Sequence, residues 1–142
     1  MRPARPILLT LPLAMSLGAG CSRAPHLEIE GPQARLSPSL VGVCALFMRI
    51  VNTGNGADAL VGASLELPGA VAELHETRDG KMARRDRFEV PAHGALELRP
   101  GGPHIMVFNL PQESGAEREL VIRLVFESSG ERRLVVKTGR PE

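Results

Sequence analysis

Leu120 to Lys137 reads LVIRLVFESSGERRLVVK. Leu120, Ile122, Leu124 and Phe126 are spaced by two, so an extended chain puts all four on one face. Ser128-Ser-Gly-Glu131 supplies turn residues, and Arg132 to Lys137 leads back. A run of alternating apolar residues, a glycine-bearing turn and a second run make a β-hairpin.

Moving toward the N-terminus, the same grammar repeats. Val43 to Val51 (VCALFMRIV) is rich in β-branched and aromatic residues and stops at Asn52-Thr-Gly-Asn-Gly56. Ala59–Leu67, Val71–Glu76, Arg87–Val90, Ala95–Arg99 and Ile105–Leu110 are further short apolar runs, parted by Pro, Gly and Asp. Leu27 and Ile29 suggest a first strand after a proline-bearing tether. Turn signals about every eight to twelve residues are the spacing of a sandwich or barrel. Helical periodicity is missing, so the expected class is all-β.

The 142 residues are 43% hydrophobic and 23% charged, with no Trp, no Tyr and four Phe. The core must then be aliphatic, and the length suits one domain. Residues 1–20 have two arginines, an apolar stretch from Ile7 to Leu17 and small residues, the three-part pattern of an export signal. Leu17-Gly-Ala-Gly-Cys21 resembles a bacterial lipobox, which makes Cys21 the expected lipid anchor in the periplasm or cell envelope; ordinary cleavage near Gly20 or Ala24 is the alternative. Residues 21–38 are read as the tether and first strand, and 39–142 as the β-sandwich domain. Without Arg2 and Arg5 the chain carries 15 basic and 16 acidic residues. That balance argues against a nucleic-acid partner, which needs a clustered basic surplus. With Cys21 acylated or removed, Cys44 has no disulfide partner within the chain, and its spacing with Leu46, Met48 and Ile50 places it in the core.

His104-Ile-Met106 follows Arg99-Pro-Gly-Gly-Pro103. On a strand, positions 104 and 106 share a face about 7 Å apart. His75 and Met82, on either side of Arg78-Asp-Gly-Lys81, form a second His and Met pair. Together the four could make an N₂S₂ site. Thioethers are soft donors suited to Cu(I), whereas Zn²⁺ favours thiolate, imidazole or carboxylate, and Mg²⁺ and Ca²⁺ favour oxygen. Thioethers also cannot be oxidised to disulfides outside the cytoplasm.

Met82 and His104 are separated by twenty-one residues. That spacing, the His-x-Met pair, and the text Glu73-Leu-His-Glu-Thr77, Val90-Pro-Ala92 and Leu98-Arg-Pro-Gly-Gly102 resemble the PCu(A)C family of periplasmic copper chaperones, from about Gly42 to Val136. The resemblance implies a cupredoxin-like or immunoglobulin-like Greek-key β-sandwich. It also implies Cu(I) bound by His75, Met82, His104 and Met106, and delivery toward cytochrome c oxidase assembly alongside Sco-type proteins. Two departures stand out. The spacer between His75 and Met82 is six residues, shorter than the family's, making Met82 the least secure ligand, and Pro103 replaces a bulkier residue.

Blander readings compete. A lone strand His is more often a surface residue, and a strand Met is usually core filling. Lys81, Arg84, Arg85 and Arg87 are best read as a solvated face, and His26 and His93 as surface residues. A blue-copper site would need a Cys thiolate beside two His. No nucleophile elbow, HExxH helix or paired carboxylates point to an enzyme. The serious alternative is a metal-free immunoglobulin-like structural or binding lipoprotein.

Overall fold

The computed structural model describes residues 22–112 and 117–139. The signal and the lipid anchor at Cys21 expected from the sequence lie outside the described residues. Ten strands occur in chain order: β1 Leu27–Leu36, β2 Cys44–Asn52, β3 Asp58–Leu65, β4 Val71–Arg78 and β5 Lys81–Arg84, then β6 Phe88–Val90, β7 Gly94–Leu98, β8 Pro103–Phe108, β9 Glu119–Phe126 and β10 Gly130–Gly139. The described residues contain no helix.

One half of the structure runs β5-β4-β8-β2-β1 and the other β10-β9-β3-β6. They are joined by a short parallel seam in which Ala34 meets Thr138 and Arg35 meets Gly139. Every other pairing is antiparallel. β2 is the central strand: one edge pairs with β1, and the other with β8 over Cys44–Leu46 and with β7 over Met48–Asn52. The halves close face to face over an aliphatic core, giving the cupredoxin-like, immunoglobulin-like sandwich.

The period-two pattern accounts for this packing. Leu120, Ile122, Leu124 and Phe126 of β9 are all buried, as are Cys44, Leu46, Met48 and Ile50 of β2. Each strand thus gives one face to the core and the other to its surroundings. β1 departs from regular pairing between Glu30 and Gln33. Gly31 there has φ 55° and Pro32 has no N–H to donate, so a bulge is the natural outcome.

Two buried polar residues tie the strand ends. The Asn52 side chain accepts from the His26 and Gly54 amides and donates to the Gly56 carbonyl, which makes the loop after β2 a structured cap. Asp58 accepts from the backbone amides of Ala59, Ser128 and Ser129 and from the Ser129 hydroxyl, so β3 is fastened to the β9–β10 turn. Burial acts to raise the Asp58 pKa, but these hydrogen bonds outweigh it and hold the carboxyl below its ordinary value.

Candidate metal centre

β8 divides its side chains between two faces. Ile105 and Val107 enter the core, while His104 and Met106 lie on the opposite face, as the spacing predicts. On β4, Leu74 points to the core and Glu73 and His75 to the outer side. The antiparallel register sets His75 directly opposite His104 and Glu73 opposite Met106. The imidazole centroids are 6.2 Å apart, with Phe108 6.0 Å from His75 and Phe47 6.3 Å from His104. His104 and Met106 are only 5% and 9% exposed, although they do not belong to the core between the sheets.

Met82 arrives from β5, an edge strand, and not from a loop. Arg78 pairs with Lys81 around the two-residue turn Asp79-Gly80, where φ is 52° and 72°. Positive φ at both positions is the type I′ geometry that Asp-Gly favours and that matches strand twist. The turn dictates which way Met82 faces. With Thr77 opposite Met82 and His75 opposite Arg84, residues 82 and 84 share the face of His75. The Met82 Sδ lies 3.2 Å from His104 Nε2. The six-residue spacer therefore forms a tight hairpin that brings the sulfur to the histidine.

A second turn orients His104. Gly102 N–H donates to the Arg99 carbonyl, with Pro100 and Gly101 between them and φ of Gly101 at 77°. Proline followed by a left-handed glycine is a type II turn. It presents the Gly102 carbonyl both to the Thr77 amide, at 3.2 Å, and to His104 Nδ1, at 2.8 Å. A carbonyl only accepts, so Nδ1 carries the proton. In the neutral ring, Nε2 then turns its lone pair toward a thioether sulfur that also has only lone pairs to offer.

His75 is held the other way round. Its Nε2 lies 2.9 Å from the Glu73 carboxylate, whose other oxygen receives Arg84 at 3.3 Å. The His75 hydrogen bond, assisted by the charge of Arg84, keeps the Glu73 carboxyl below its usual range. His75 Nδ1 is buried and has no hydrogen-bond partner. Such an orphaned acceptor is uncommon in a folded protein and fits a metal-binding nitrogen. Among the described residues, no group of three or more His, Cys, Asp or Glu converges. The donor set is one of imidazoles with thioethers, soft in character.

His75, His104 and Met82 are thus brought together. Met106 shares their face two residues beyond His104, between Glu73 of β4 and Ala45 of β2. It lines an apolar depression of about 280 Å³ with Ala45, Phe47, Leu36, Pro38 and Pro100. Cys44 lies on the core face, and burial pushes its thiol up to about 11, which leaves it inert as a thiolate ligand. The basic residues near Met82 are largely neutralised: Arg84 pairs with Glu73, Arg85 with Glu76, and Arg87 with Glu89 and Glu127. His26 and His93 attach to the far end of the sandwich, at the loop after β2. The roles of Glu73 and of the Gly102 carbonyl escape a search for donor residues. For Glu73 the available signal was the Glu-x-His spacing, which puts both side chains on one strand face.

The sandwich is similar in fold to solved PCuAC domains. The copper-bound PCuAC domain from PmoF2 superposes with a TM-score of 0.67 at 22% identity, covering 83% of this chain and 99% of that one. CuI-DR1885 from Deinococcus radiodurans gives 0.58 at 24% identity, covering 91% and 85%. Residues 27–138 match the family model described as "Putative lipoprotein LpqE-like", and the chain belongs to that family. A relative from Leifsonia xyli subsp. xyli (strain CTCB07), "Putative lipoprotein Lxx21020", is 33% identical over an alignment of 112 positions that covers 72% of this chain and 67% of that protein.

Proposed function

We propose that this protein is an extracytoplasmic carrier of Cu(I), with the ion as cargo on the outer face of β4, β5 and β8 and His75, Met82, His104 and Met106 as its ligands. The observation that carries this reading is the disposition of lone pairs. His104 Nε2 faces the Met82 sulfur at 3.2 Å while its Nδ1 is held by the Gly102 carbonyl, and His75 Nδ1 is buried without a partner. In each ring the other nitrogen is engaged by an oxygen, the arrangement that commonly orients histidine ligands. Likeness to the copper-bound PCuAC domain from PmoF2 and to CuI-DR1885 supports the same reading. Anaerobic Cu(I) titration against a competing chelator tests it. One Cu(I) per chain, bound in preference to Zn²⁺, is expected, and a zinc-selective or metal-inert protein would leave the metal-free lipoprotein reading ahead.

The wider role rests on the resemblance to the PCu(A)C family. The protein is a carrier and not an enzyme, delivering copper to the copper site of cytochrome c oxidase, with Sco-type proteins as partners in assembly. Residues 1–20 act as an export signal, Cys21 anchors the chain in the envelope through lipid, and residues 39–142, with β1 completing the sandwich, form the copper-binding domain. Lipoprotein relatives support the anchor. Diacylglycerol on Cys21 in the mass spectrum of the native N-terminus is the expected result, and mature chains beginning at Arg23 or later would exclude it. Loss of Cu(I) from the loaded protein to an apo Sco-type protein tests the delivery step.

A further inference from the structure

Two imidazoles that could serve one ion are held here in opposite ways. His104 donates from Nδ1 to the Gly102 carbonyl at 2.8 Å and turns Nε2 to Met82. His75 donates from Nε2 to Glu73 at 2.9 Å, which leaves Nδ1 buried and unpartnered. The difference originates in the sequence. Glu73 lies two residues before His75, on the same face of β4, and its carboxylate meets Nε2 of that ring. Arg84, directly opposite His75 on β5, takes the second carboxylate oxygen. One carboxylate therefore links the strand bearing Met82 to the strand bearing His75.

We propose that Glu73 is a positioning residue that assigns the metal-binding nitrogen of His75 to Nδ1, so that the two histidines bind through opposite ring nitrogens, His75 by Nδ1 and His104 by Nε2. This rests on the copper-carrier reading above. A neutral imidazole has one lone-pair nitrogen, and the partner of the other nitrogen selects it. An ionised carboxylate can only accept, so it enforces the Nε2–H form of His75. An amide in its place can donate as well as accept and no longer dictates the tautomer. Glu73 thus orients a ligand without being one.

The test is long-range ¹H–¹⁵N NMR of the histidine rings in the full chain, before and after anaerobic addition of Cu(I), on wild type, Glu73→Gln and Glu73→Asp. In the metal-free wild type, His75 should be the Nε2–H tautomer and His104 the Nδ1–H tautomer. Cu(I) should then shift His75 Nδ1 and His104 Nε2. Glu73→Gln should mix the His75 tautomers, leave His104 as it was, and weaken Cu(I) binding by about tenfold, the lower end of losses seen when an outer partner of a ligand is removed. Glu73→Asp, which keeps the acceptor, should restore part of that loss. Unchanged cross-strand NOEs between β4 and β8 would show that the variants are folded. Cu(I) shifting His75 Nε2, or Glu73→Gln leaving tautomer and affinity unaltered, overturns this inference while the carrier reading stands. Wild type that takes up no Cu(I) overturns both.

Discussion

Met82 Sδ and His104 Nε2 lie 3.2 Å apart although twenty-one residues separate them in the chain. β8 reaches β5 only through β4, so this contact spans three strands and depends on two turns. Asp79-Gly80 sets the register that faces Met82 toward β8, and Pro100-Gly101 sets the carbonyl that rotates His104. Altering either turn alters the site without touching a donor atom.

Replacement of the sulfurs should separate coordination from packing. Met82 is 53% exposed, so Met82→Leu should change thermal stability little while lowering Cu(I) affinity at least about tenfold through loss of a soft donor. Met106 is buried, and Met106→Leu, a volume-conserving change, should cost under about 1.5 kcal/mol of stability and also reduce affinity. Chelator competition and calorimetry on the same samples check both.

The register of the β4–β5 hairpin should matter as much as the thioether it carries. One glycine inserted after Gly80 shifts β5 by a residue and sends Met82 to the opposite face, because side chains alternate with period two. Cu(I) affinity is expected to drop to that of Met82→Leu. Full affinity in the insertion variant would show that Met82 is not needed.

Asp58 should make the fold sensitive to acid. Burial opposes its ionisation, but four hydrogen bonds from Ala59, Ser128 and Ser129 bring its folded pKa below the unfolded value. Its stabilisation is therefore complete above the ordinary Asp value of about 3.9 and drains away as pH falls through the lower folded value. Asp58→Asn should lose roughly 1.5–3 kcal/mol at neutral pH and show a flatter loss of stability in acid. Urea unfolding at pH 7 and at pH 3 measures the difference.

Cys44 should be silent while the protein is folded. With its thiol pushed up to about 11 by burial, a neutral solution holds roughly one thiolate in ten thousand, behind closed packing. In a Cys21→Ser background, thiol reagents should label the chain only at the rate of unfolding. Cys44→Ala should bind Cu(I) normally, and loss of binding would place the thiol among the ligands.

The sequence by itself determined the strands, because the alternation of apolar residues and the turn chemistry are local. Leu120 to Phe126, Cys44 to Ile50 and His104 to Met106 each disclose which residues share a face before any partner strand is known. The four candidate ligands stood out through their residue types and spacing and through the resemblance to the PCu(A)C family. Tertiary structure alone decided which strands meet: β1 and β10 join in parallel at Ala34 and Arg35, and β4 lies between β5 and β8. It also decided which nitrogen of each histidine is free, since Glu73 and the Gly102 carbonyl choose this through hydrogen bonds of fixed direction. Pairing and hydrogen-bond direction depend on residues far apart in the chain arriving together, which no local pattern encodes. Met82 shows the division clearly: its short spacer made it the least secure ligand in the sequence, whereas the folded hairpin holds it in register, its sulfur against His104.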